Sequence, residues 1–148
     1  MGMEPVADHD PRYLAGILFF NQRDFFEAHE VWEDLWADCA SPERRFYQGL
    51  IQAAVALFHF GNGNLRGAVK LFRSSKAYME AFESPYLGLD GYDFWRQMAA
   101  CFAGLLDGAE PDPSLRPAEA LLPRIVLDPP PAAWPDPARF EGEEGTTD

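Results

Sequence analysis

The chain has 148 residues, 47% of them apolar and 24% charged, with 24 acids against 12 bases and a formal net charge of −12. That length suits a single domain. The charge argues against nucleic acid and against an anionic membrane surface, both of which recruit cationic side chains to phosphate.

Apolar residues recur at intervals of three and four, and no stretch alternates, so the pattern predicts an all-α fold. A first helix is expected over 11–21, where Asp10-Pro11 places a capping carboxylate before a proline at the first helical position. A second, over 23–39, has Asp24 near its start. A third, over 42–60, opens on Ser41-Pro42, again a capping side chain followed by proline. Its stretch from Gly49 to Phe60 is nearly apolar but too short to span a bilayer. Gly61-Asn62-Gly63-Asn64 reads as a tight reversal into a fourth helix over 64–83, capped by Asn62 or Asn64 and antiparallel to the third. A fifth helix is expected over 91–107, opened by Asp90 and Asp93 and stopped by Gly108.

Proline then changes the character of the chain. Four prolines, Pro5, Pro11, Pro42 and Pro85, lie in residues 1–108, and the other nine lie in 109–148, where long helices and central strands are excluded. Within that region Leu121-Leu-Pro-Arg-Ile-Val-Leu127 is apolar enough to lie extended across a core. The expectation is a compact bundle of about five helices over 1–108, an extended strap over 109–128 and a disordered acidic tail over 129–148. Nothing at the N-terminus joins a basic region to an apolar run, so no secretion signal is visible. Cys39 and Cys101 form neither a disulfide framework nor a metal spacing, and a cytoplasmic protein with reduced thiols is expected.

The second helix carries the first chemistry. Between Asp24 and Asp38 it has six acids and no base. At about 100° per residue, Phe25, Ala28, Trp32, Leu35, Trp36 and Cys39 share a core face, while Glu27, Glu30, Asp34 and Asp38 look outward. His29 and Glu33 are one turn apart at the border, beside Trp36. That spacing lets an imidazole and a carboxylate share one metal ion, or lets the carboxylate orient the imidazole as a base. It equally suits a plain hydrogen bond at the rim of the core.

The third helix is apolar nearly all round, yet Arg44, Gln48, Gln52 and His59 fall within about 80° of one another. Buried polar groups without partners are costly, so these side chains are expected to meet one another, His29 and Glu33, or a ligand. Arg44 or Arg45 is expected to neutralise Glu33 or Glu30, and Gly49 to let another helix approach closely. One outcome is a small polar pocket lined by both helices. The other is an internal network that fixes their register. Gly67 and Ala68 are expected to let the fourth helix press on the third, and the apolar stripes of the fourth and fifth helices read as core. No phosphate-binding glycine loop, Cys-x-x-Cys or His-Glu-x-x-His is present.

Phe25-Phe-Glu-Ala-His29-Glu-Val-Trp-Glu33-Asp-Leu-Trp36, followed by Arg45-Phe-Tyr-Gln-Gly-Leu-Ile-Gln-Ala-Ala54, His59 and Gly63-Asn64-Leu-Arg-Gly-Ala68, resembles the bacterial and archaeal family called domain of unknown function 309. The resemblance covers roughly residues 19–82, with an echo at Leu122-Pro-Arg-Ile-Val-Leu127. It implies an all-helical fold and a signature of His, three residues, Glu, two residues, then Trp or Tyr, for which metal binding has been suggested. Here the signature falls on His29, Glu33 and Trp36. Two functions stay open. One is a divalent-metal or small-ligand site between the second and third helices, with His29 and Glu33 as ligands and Glu30, Gln48, Gln52 and His59 available as further partners. The other is a non-enzymatic helical module that engages a protein partner or a second copy.

Overall fold

Asp10 starts the first helix as its sequence predicts. In the computed structural model, which describes residues 9–141, α1 spans Pro11–Asn21 and Asp10 Oδ1 accepts the Arg12 backbone N–H at 2.9 Å. The Arg12 guanidinium also bonds Asp10 and, at 2.7 Å, Asp38, tying the start of α1 to the end of α2, Phe25–Asp38. The Arg12 side chain is the main reason the Asp10 carboxyl is held below the usual carboxylate range. A lowered carboxylate pKa gives stability that is complete at neutral pH and lost as the pH falls into the acid range. Asp10→Ala is therefore expected to cost about 1 kcal/mol at pH 7. In urea melts at pH 7 and pH 3 the gap from wild type should shrink at the lower pH; an equal gap at both would remove the charge from the explanation.

α2 begins later than expected because Arg23, at φ 72°, belongs to the turn, and Asp24 accepts the Glu27 N–H at 3.3 Å. The cap expected from Ser41 is not made. Its hydroxyl donates instead to the Glu43 carboxylate, a stronger acceptor two residues on, and Pro42 holds the cap position of α3, Glu43–Gly61, without a side-chain bond. Gly63, at φ 84°, completes the reversal, and Asn64 caps α4, Leu65–Met79, by accepting the Gly67 N–H at 3.0 Å. α4 ends before residue 83, but Phe82 still reaches the core from the following loop, edge-on to Phe46 at 5.3 Å. Asp90 caps α5, Gly91–Leu106, through the Asp93 N–H at 3.1 Å, and Gly108 at φ 88° follows its end.

Sequential packing of α1 on α2, α2 on α3 and α3 on α4 makes the body, with α5 crossing it through Phe94, Phe102 and Leu105. Among the described residues there is no strand. Gly49 behaves as expected: a Cβ there would lie 2.4 Å from Met79 Cγ, and the buried Ser75 hydroxyl donates to the Gly49 carbonyl at 2.6 Å. Gly67 does not serve helix packing; the space beside it holds the capping side chain of Asn64.

Beyond α5 the chain returns through a 3-10 turn at Glu119–Leu121 and then runs extended. Pro123, Ile125 and Leu127 point inward, whereas Val126 is exposed. Two carboxamides hold this segment as a neighbouring strand would. Asn21 bonds both the N–H and the carbonyl of Ile125 at 2.9 and 2.8 Å, and Gln97 does the same for Arg124 at 2.9 and 3.1 Å. A second 3-10 turn, Pro137–Phe140, lies against α1 with Phe140 half-buried on the core. The end of the tail, 142–148, and the leader containing Pro5 lie outside the described residues.

Candidate metal centre

α2 brings three potential ligands to one surface spot. His29 Nε2 or Nδ1 and one carboxylate oxygen from each of Glu30 and Glu33 all lie within 4.8 Å of one another. His29 and Glu30 are half-buried and Glu33 is exposed, so the group sits at the protein–water boundary rather than inside a cavity.

The imidazole is oriented by the backbone one turn before it. Its Nδ1 lies 2.7 Å from the Phe26 carbonyl oxygen. That oxygen only accepts, so Nδ1 carries the hydrogen, and in the neutral ring the lone pair is on Nε2. Nε2 faces Glu30, 3.9 Å from its Oε2. A backbone carbonyl fixing the far nitrogen is the usual support of a metal-binding histidine. Ligand atoms at zinc distance from one ion lie about 3.4 Å apart. Rotation of the Glu30 and Glu33 side chains would close the remaining gap. Glu33 makes no hydrogen bond or ion pair among the described residues.

The third helix does not supply the partners its sequence suggested. Arg44 and Arg45 pair with neither Glu30 nor Glu33. The Arg44 guanidinium lies 3.8 Å over the half-buried Trp36 ring and donates to the Trp36 carbonyl at 3.2 Å, an acceptor in the last turn of α2. Arg45 stacks 4.9 Å from the Tyr78 ring of α4. His59 lies at the end of α3, where its Nδ1 accepts from Asn64 Nδ2 at 3.3 Å, and it stands outside the group of three.

The two glutamines are also not drawn in. Gln48 is half-buried. Gln52 follows Arg45 and Gly49 at helical spacing, on the row that α4 covers, and its Oε1 is buried without a partner. Among the described residues, these side chains of α3 join neither a pocket nor a network with His29 and Glu33, and the three candidate ligands come from a single helix.

Two exposed aromatics border the group without any marker in the sequence. Phe26 and Phe58 are 39% and 37% exposed, and their rings lie 5.5 Å apart. Phe26 also packs edge-on to His29 at 5.0 Å, so the group has an apolar rim on its α3 side. Phe58 is legible only as a member of the apolar run of α3 and Phe26 only as part of the motif around His29, since nothing local marks an apolar residue as exposed.

Comparison with known proteins agrees with the signature. Residues 13–71, from α1 to the middle of α4, match a family described as Domain of unknown function (DUF309). A Bacillus subtilis (strain 168) protein described as "Uncharacterized protein YpuF" is 39% identical over 77 residues, 50% of this chain and 44% of its own length. An Aquifex aeolicus (strain VF5) "Uncharacterized protein" is 31% identical over 72 residues, 48% of this chain and 22% of its own. The matched regions thus span less than half of either relative.

Proposed function

We propose, from the match of residues 13–71 to the DUF309 family and the geometry of α2, that His29, Glu30 and Glu33 hold a divalent cation at the surface of that helix. The observation that carries this reading is the His29 Nδ1–H bond to the Phe26 carbonyl, which leaves Nε2, 3.9 Å from Glu30 Oε2, as the free ligand atom of the group. One nitrogen and two oxygens suit zinc and other first-row divalent ions. An ion held by three protein ligands keeps a position for water and lowers the pKa of that water. Phe26 fixes the ring, Glu30 and Glu33 supply charge, and Phe58 helps exclude water from one side.

Two further parts of the reading follow from composition. The free thiols of Cys39 and Cys101 fit a reducing cytoplasm. No helix of the described residues is long and apolar enough to cross a membrane, and the net charge of −12 disfavours phosphate-rich partners.

Tag-free protein dialysed against Zn2+ and then against buffer is expected to retain a single ion per chain by elemental analysis. His29→Ala is expected to weaken zinc binding by at least about tenfold in calorimetric titration, since even loss of a ligand's supporting partner costs that much. Failure of wild type to retain metal, or equal affinity in His29→Ala, would overturn the reading.

A further inference from the structure

In a protein of net charge −12, α4 is an anomaly. Between Leu65 and Met79 it carries Arg66, Lys70, Arg73 and Lys76 and no acid. Lys76 pairs with Glu80. The other three are exposed and have no ion-pair partner among the described residues. At helical pitch Arg66, Lys70 and Arg73 fall within a sector of about 60°, so they form one row along the outer face.

One flank of α2 is the opposite in sign. The half-buried Glu27 and Glu30 and the exposed Asp34 also fall within about 60°, and α2 holds no lysine or arginine. The spacings match in reverse. The acids step by three and then four residues, while the bases read from Arg73 back to Arg66 also step by three and then four. Laid antiparallel, Glu27 meets Arg73, Glu30 meets Lys70 and Asp34 meets Arg66. α3 packs on both helices, touching α2 through Arg44 and Phe58 and α4 through Arg45 and Gly49, so these faces are turned away from each other within one chain.

We propose that the cationic row of α4 docks the acidic face of α2 from a second copy of this chain. The contact uses two different faces, so it is head-to-tail and builds open chains or rings rather than a closed two-fold dimer. Duplex nucleic acid is a poorer occupant, because three cations release few counterions. Exposed ion pairs are individually weak and screened within about 10 Å at 0.1 M salt. Association is therefore expected at low salt and micromolar or higher concentration, and lost at high salt.

The test is sedimentation equilibrium of the full chain in EDTA, which keeps the result independent of any metal site. Wild type in about 20 mM salt should gain mass with concentration and return to monomer in about 0.5 M salt. Asp34→Arg and Arg66→Asp, each alone, should weaken association by about tenfold or more, because each places like charges together. An equimolar mixture of the two should recover it, since the arginine introduced in one copy faces the aspartate introduced in the other. Circular dichroism confirms that both variants fold. A monomer at every concentration, salt-insensitive association, single variants that assemble like wild type, or a mixture that does not recover would each overturn the proposal. So would binding of a DNA duplex or phosphatidylserine vesicles that Arg66→Asp abolishes, because the row would then serve phosphate.

Discussion

Trp32→Ala is expected to lower the unfolding free energy by about 3–5 kcal/mol, the range for removing a fully buried aromatic side chain. Trp32 is 0% exposed, its Nε1–H donates to the Tyr13 carbonyl at 3.1 Å, and its ring packs 6.0 Å from Phe20. The indole bridges α1 and α2 because Gly16 makes room for it: a Cβ at Gly16 would lie 2.0 Å from Trp32 Nε1. The two positions are one packing unit. Gly16→Ala should destabilise wild type by collision and be tolerated in the Trp32→Ala background, where the collision partner is gone. Denaturant melts of the four proteins measure that coupling. A loss below about 1 kcal/mol for Trp32→Ala, well under the usual cost of such a truncation, or strict additivity with Gly16→Ala, would contradict this account.

Much of this packing is readable from spacing because it is local. Asp10, Asp24, Asn64 and Asp90 cap the helices they precede, since a short acceptor before an apolar-periodic run has few other places to bond. Ser41 fails for an equally local reason: Glu43 competes for its hydroxyl. What spacing does not reveal is which face of a helix a distant segment covers. Val31 lies beside the expected core face of α2 and is buried, and Ser75 is buried because its hydroxyl reaches the Gly49 carbonyl of α3.

The candidate site divides along the same line. His29 and Glu33 are one turn apart in sequence and therefore in space, and α2 alone guarantees their approach. Glu30 belongs with them because a glutamate beside His29 is long enough to turn back toward its ring, although its helical position reads as outward. The partners expected from α3 required a specific rotation of that helix about its axis. The rotation observed gives Arg44 to Trp36, Arg45 to Tyr78 and His59 to Asn64. Arg44 and His59 are thereby satisfied by acceptors or donors close to them in the chain, whereas Arg45 turns the other way, onto α4.

Ile125→Ala combined with Leu127→Ala is expected to cost about 4 kcal/mol or more, since each core truncation of this kind costs about 2–5 kcal/mol. Against a total of about 5–15 kcal/mol for a typical domain, that is a large share. Both residues are 3% exposed, although the segment carrying them has no helix or strand of its own. Its backbone groups are answered by Asn21 and Gln97 instead, so the segment is positioned before its apolar side chains are counted. Division into a bundle over 1–108, a strap over 109–128 and a tail over 129–148 thus makes a sharp contrast. Among the described residues of 129–148 the hydrophobic side chain packed on the core is the half-buried Phe140, in the short turn against α1, so removing 129–148 is expected to cost about 1 kcal/mol. Asn21→Leu, which leaves the N–H and carbonyl of Ile125 without their partner, should cost more than that deletion although it removes no apolar surface. Chemical denaturation of the three variants decides the matter. If the deletion costs as much as the double substitution, the boundary belongs beyond residue 128 and the tail is part of the folded unit.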